Sequence, residues 1–150
     1  MSQPNSMVNA LVASLLRSPL HGLMSRGLLL ISYRGRKSGK EYTLPVQYVR
    51  QDREVSIVVG EAQNKTWWRN LRGGGPVRLV IAGRRLSGQA GVWEGPQDSE
   101  AMLPALNRYL QAFPPAARMH HVRREADGNF NLEDLRQEAQ TTVMVRVTLA

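Results

Sequence analysis

The sequence predicts an α+β fold, a six-stranded antiparallel β-barrel with flanking helices, and three observations carry that prediction. Six short apolar runs are bounded by turn-forming residues. Two of the links between them are only a few polar residues long. The remaining segments repeat their apolar residues at helical spacing. A chain of 150 residues suits one domain over 1–150, since that length buries roughly 70% of its unfolded surface around a single core. Within it the sequence separates an N-terminal helical segment, 1–26, from a barrel over 27–150.

Between residues 5 and 24 the apolar side chains Met7, Leu11 and Leu15, with Val8, Val12 and Leu16, recur at helical spacing until Pro19 breaks the run. After Gly27 the pattern turns strand-like over 28–33, 42–50, 55–60, 77–82, 86–93 and 142–149. Arg50-Gln51-Asp52-Arg53 and Ala82-Gly83-Arg84 are polar links short enough to join their neighbours as antiparallel hairpins. Val143, Val145, Val147 and Leu149 alternate with more polar residues, so the last strand has one buried and one partly wet face and closes the sheet. A short helix over 66–72 precedes Gly73-Gly74-Gly75-Pro76. A longer one over 97–111 is stopped by Pro114-Pro115, and a last one spans 132–140 after the Asp127-Gly128 turn.

Composition narrows the chemistry. The longest apolar stretch, 28–31, cannot span a bilayer. With no cysteine there are no disulfides, thiolate metal sites or cysteine nucleophiles, and His21, His120 and His121 offer little for a zinc site or a triad, so no metal is expected. A bound cofactor is the economical source of reactivity. The net charge of +8 is uneven: residues 17–85 hold fourteen Lys or Arg against four acids. That surplus calls for an acidic partner, which could be nucleic acid, a membrane surface or a phosphorylated cofactor. The N-terminus does not read as a secretory leader, so a cytoplasmic protein is expected. The segment over 5–26, flanked by Arg17 and Arg26, is expected to pack on the barrel, with weak membrane-surface contact as the lesser alternative.

The informative stretch is Tyr33-Arg34-Gly35-Arg36-Lys37-Ser38-Gly39-Lys40. Its glycines bracket two cations and a hydroxyl in a tight turn, a donor set suited to phosphate. Each charge-assisted hydrogen bond contributes about 1.5–3 kcal/mol, so three or four would hold a cofactor tail at micromolar strength or better. The spacing is not that of a nucleotide P-loop, because three residues separate the glycines and Glu41 follows Lys40. The plain alternative is an exposed hairpin tip. Against it stand Pro45, Val46-Gln47-Tyr48 and the helix opening Trp67-Trp68-Arg69-Asn70-Leu71.

That ordered set resembles the deazaflavin-dependent nitroreductase and quinone reductase family. The residues that carry the resemblance are the strand 28–31, the Gly35-Arg36-Lys37-Ser38-Gly39 loop, Pro45 three residues beyond Tyr42, and Trp67-x-x-Asn70-Leu71 before Pro76-Val77. The resemblance runs from about Leu16 to Leu149. It implies a split β-barrel of the FMN-binding type and a reductase passing a hydride from reduced 8-hydroxy-5-deazaflavin (coenzyme F-420) to an electron-poor quinone, enone or nitro compound. It also implies that Arg36, Lys37, Ser38 and Gly39 hold the phosphodiester and that Pro45 and Gln47 neighbour the ring. Trp67 and Asn70 would lie where helix meets barrel, and Lys65, in a shortened 60–65 loop, would supply a further cationic contact.

Other readings compete. One of Trp67 and Trp68 belongs in the core. His120 and His121, adjacent and without a third ligand, read as surface residues, and Tyr109 as a half-buried helix-face aromatic. The same barrel could hold FMN in place of the deazaflavin. A non-catalytic basic barrel could bind single-stranded nucleic acid, although aromatic residues are few and both adjacent tryptophans fall on a helix. A small-molecule acceptor without nucleic acid is the preferred partner, and the chain is expected as a monomer or homodimer.

Overall fold

The computed structural model describes residues 27–150, and the helix expected over 5–24, its membrane contact and His21 lie outside the described residues. Among the described residues seven strands form one antiparallel sheet: β1 (Leu28–Arg34), β2 (Glu41–Gln47), β3 (Val49–Gln51), β4 (Glu54–Val58), β5 (Gly75–Ile81), β6 (Arg84–Glu94) and β7 (Val143–Leu149). Their order across the sheet is β2-β1-β5-β6-β7-β4-β3. The run expected as one strand over 42–50 is therefore two. The Tyr48 N–H donates to the Gly27 carbonyl at 3.0 Å, the last rung beside β1. The next residue, Val49, already pairs with Ser56 of β4. One residue thus carries the chain from one edge of the sheet to the other, so the sheet curls until its edges meet at Tyr48.

Both expected hairpins are present. The β3–β4 turn passes through Asp52 at φ 55°, and the β5–β6 turn through Ala82 and Gly83 at φ 50° and 80°. Two successive left-handed residues match the right-handed twist of the strands they join. Strand β7 completes the sheet between β6 and β4. Its Val143, Val145, Val147 and Leu149 face a barrel core with Leu29, Ile31, Val55, Ile57 and Leu79. Its other face is wet only in part, because Met144 lies under the helices at 0% exposure.

Those helices are α1 (Ser99–Ala112), α2 (Pro114–Met119) and α3 (Leu132–Ala139). They bury Met102, Leu106, Leu110 and Leu135 against Met144 in a second apolar cluster, each such side chain contributing about 1.5–3 kcal/mol. Pro114 and Pro115 do end α1, but they also start α2, which the sequence reading lacks. A proline in the first turn loses only an N–H that has no helical partner. Asn131 caps α3, its side-chain oxygen accepting from the Asp134 N–H at 2.9 Å.

Candidate functional site

The β1–β2 connection is a built loop. Its ends are closed by Gly35 N–H to Lys40 carbonyl at 2.8 Å and Gly39 N–H to Gly35 carbonyl at 2.9 Å. Gly39 sits at φ 69°, where a Cβ would strain the turn. At Gly35 a Cβ would come within 2.8 Å of the Ser38 Oγ and 2.9 Å of the Tyr42 ring. Only glycine lets those two side chains close over the backbone. From outside, the Arg34 guanidinium donates to the Gly39 carbonyl at 2.9 Å.

A second tether crosses to the short helix Trp67–Leu71. Asn70 accepts the Arg36 N–H through Oδ1 at 3.0 Å and donates from Nδ2 to the Trp67 carbonyl at 2.9 Å. Both ends of its amide are committed to the protein, so Asn70 fixes the distance between loop and helix. The helix is anchored by Trp68, which is buried, donates from its indole N–H to the Ala62 carbonyl at 3.0 Å, and lies under the Arg72 guanidinium at 4.8 Å. Of the two adjacent tryptophans, Trp68 is the fully buried core residue and Trp67 is half-buried at the edge of the core.

Between loop and helix lies a cleft of about 610 Å³, with residues 35–38 on one side, Thr66, Trp67, Arg69 and Asn70 on the other, and Tyr33 and Tyr42 between them. The Tyr33 ring stacks on Tyr42 at 5.7 Å and tilts against Trp67 at 5.9 Å. Burial, with Tyr42 adding to it, raises the Tyr33 phenol above its ordinary pKa, so it stays protonated across neutral pH. Arg36 and Lys37 are exposed, and among the described residues neither forms an ion pair with an acid. By contrast, the 510 Å³ groove on the outer sheet face has its Arg78 paired with Glu41.

The structure gathers Arg36, Lys37, Ser38, Trp67 and Asn70 around this cleft. Gly39 closes the loop with its own N–H and contributes its left-handed turn. Pro45 and Gln47 fall on the opposite face of β2 from Leu44 and Val46, which pack on the barrel core, and Gln47 accepts from the Tyr109 hydroxyl at 3.3 Å. Lys65 ends the turn before Thr66 and is exposed, outside the cleft wall. Tyr42 lines the cleft, and the sequence reading missed it. Only the cross-strand register, which sets it opposite Tyr33, marks it. Of the two histidines read as surface residues, His121 is exposed. His120 is half-buried and bonded through Nδ1 to Glu138 at 2.7 Å, because α2 ends against α3. Among the described residues no group of three His, Cys, Asp or Glu could hold a metal, and no helix is long and apolar enough to cross a membrane.

A rigid loop with two uncompensated cations and a hydroxyl, beside flat aromatic rings, suits a ligand with an anionic tail and a planar head. Comparison with known proteins identifies the family. Residues 18–113 match the model of the F420H(2)-dependent quinone reductase family. A protein of Mycobacterium tuberculosis named as an F420H(2)-dependent quinone reductase is 33% identical, over 49% of this chain and 71% of its own. Two solved structures share the fold. One, described as an F-420-dependent reductase, has a TM-score of 0.52 and 19% identity over 81% of this chain and 94% of its own. The other, described as a domain-swapped dimer, has a TM-score of 0.55 and 17% identity over 97% and 99%. The chain belongs to the F420H(2)-dependent quinone reductase family, oxidoreductases whose cofactor is the deazaflavin coenzyme F-420.

Proposed function

We propose that the cleft between residues 35–38 and the Trp67–Leu71 helix is where this chain holds F-420, with the negatively charged tail on Arg36, Lys37 and Ser38. The observation that supports this most is charge: the cations stand on a loop tied down at both ends, yet they have no acidic partner among the described residues. A loop fixed in advance loses little entropy when an anion arrives, so its charge-assisted bonds appear almost fully as affinity. Gly39 and Asn70 shape the cradle. Tyr33 and Trp67 offer flat surfaces to a planar ring.

When bound in its reduced form, the coenzyme supplies a hydride to an electron-poor acceptor, for which a quinone, an enone or a nitro compound is suited. The chain's own part is orientation and shielding. Trp67, half-buried against Tyr33, keeps water from one wall. The protonated Tyr33 phenol adds no negative charge beside the anionic tail.

The test is a titration of the purified chain with F-420 and, separately, FMN, followed by tryptophan fluorescence, and repeated for Lys37→Ala. One F-420 per chain is expected, with about tenfold or greater weakening in Lys37→Ala and an unchanged melting temperature, as loss of one charge-assisted contact requires. Equal affinity in parent and variant would remove the loop from the site. Preference for FMN would reassign the cofactor. Binding of single-stranded nucleic acid that collapses with salt, without any F-420 binding, would replace the enzyme reading altogether.

A further inference from the structure

We infer that Tyr42 is a positioning residue for the anion, its hydroxyl and that of Ser38 acting as one donor. This rests on the reading of the loop as the anchor of an anionic tail. Ser38 Oγ lies 3.2 Å from the Tyr42 hydroxyl and 3.2 Å from the Lys40 N–H, which donates to it.

A serine hydroxyl has one proton and two acceptor sites. The Lys40 N–H occupies one site, so the Tyr42 contact decides what the remaining proton does. If Ser38 donates to Tyr42, its proton is spent inside the loop. If Tyr42 donates to Ser38, both acceptor sites are filled and the Ser38 proton is left for an outside acceptor. A phosphate oxygen brings lone pairs and no proton of its own as a fully ionised diester. Its arrival therefore selects the second arrangement, a chain from phenol to serine to anion in which each bond polarises the next.

The fold sets this up before any ligand arrives. Tyr42 is opposite Tyr33 in the β1–β2 ladder, and its ring stacks on Tyr33 at an interplanar angle of 25°. The absence of a side chain at Gly35 makes room for both Ser38 and the Tyr42 ring. Tyr42 remains 43% exposed, so the pair faces the cleft and is open to solvent there.

Tyr42→Phe removes the hydroxyl and keeps the ring. It is expected to raise the Kd for F-420 about three- to tenfold with no change in melting temperature, the size of one hydrogen bond. Ser38→Ala should weaken binding at least as much, and the double variant no more than Ser38→Ala alone, since Tyr42 acts only through Ser38. A second readout needs no coenzyme. Inorganic phosphate should shift the backbone amide resonances of Lys37 and Ser38 saturably in the parent, and at several-fold higher concentration in Tyr42→Phe. Parent-like affinity of Tyr42→Phe for both F-420 and phosphate, or a double variant showing the product of the two single effects, would overturn the inference. If Lys37→Ala weakens F-420 binding while Tyr42→Phe does not, only the role of Tyr42 falls. If F-420 does not bind but the phosphate response still depends on Tyr42, the coenzyme assignment falls and the hydroxyl pair stands.

Discussion

The helical layer and the loop at the cleft treat charge in opposite ways. In the helical layer several cations are paired with acids, although Arg108 bonds Gln51 and the exposed Arg118 has no acid beside it among the described residues. Arg123 meets Asp134 through Nε at 2.7 Å and through its own backbone N–H at 3.0 Å, His120 meets Glu138 at 2.7 Å, and Arg136 meets Glu100 at 3.4 Å. At the loop, Arg36 and Lys37 stand on a backbone fixed by five hydrogen bonds or more, without an acid beside them among the described residues. Paired charges hold elements together and are worth little individually at a surface. Unpaired charges on a rigid frame repel one another until something negative arrives.

If the two regions are as separate as this contrast implies, they should respond to mutation separately. The largest effect is expected from the helical layer. Leu106→Ala empties a site of 0% exposure and should cost about 2–5 kcal/mol of stability, read from urea denaturation, while the folded fraction binds F-420 as the parent does. The reverse is expected of Asn70→Ala. It frees the Arg36 amide and the end of the loop, removes the bond to the Trp67 carbonyl, and should weaken F-420 binding about tenfold, with a stability loss of about 1–2 kcal/mol for two hydrogen bonds that are exposed or half-buried. A Leu106→Ala variant that loses affinity in proportion to its stability would show that the helices and the cleft form one cooperative unit.

The sequence made the strands legible because their apolar runs are short and their turns chemically explicit. Ala82-Gly83 and Asp52-Arg53 occupy the turns where they were expected. It did not reveal that 42–50 breaks at Tyr48, since a strand that leaves one edge of a curled sheet and joins the other keeps a continuous β pattern. It also hid α2, because a proline pair signals a helix stop and a helix start alike. At the site, the loop and the Trp67–Asn70 helix were visible as a motif, and their meeting across thirty-four residues is a contact that the Arg36–Asn70 hydrogen bond supplies. Pro45 and Gln47 illustrate the limit: the family resemblance sets them beside the ring, whereas strand alternation turns them to the face of β2 away from Leu44 and Val46. Tyr42 was overlooked for the same reason, since only the cross-strand register shows that it shares a face with Tyr33.

Acid titration sharpens the contrast with the smallest expected effect. Hydrogen bonds from the Arg123 side chain, then from its backbone N–H, hold the Asp134 carboxyl below its ordinary value of 3.8. A carboxylate whose pKa is lower in the folded state stabilises that state above its unfolded pKa, and the contribution disappears as pH falls through the depressed folded value. In the parent, the urea midpoint should therefore carry a component that declines below about pH 5 as the carboxyl binds its proton. Asp134→Asn should lower the midpoint slightly at pH 7, flatten that acid limb, and converge on the parent once both carry a neutral group. Lys37→Ala should run parallel to the parent at every pH, because its cation has no carboxylate in the fold to protonate. If instead Lys37→Ala changed the acid limb, the loop would have an acidic partner after all, and the charge left open for a coenzyme tail would already be taken by the protein.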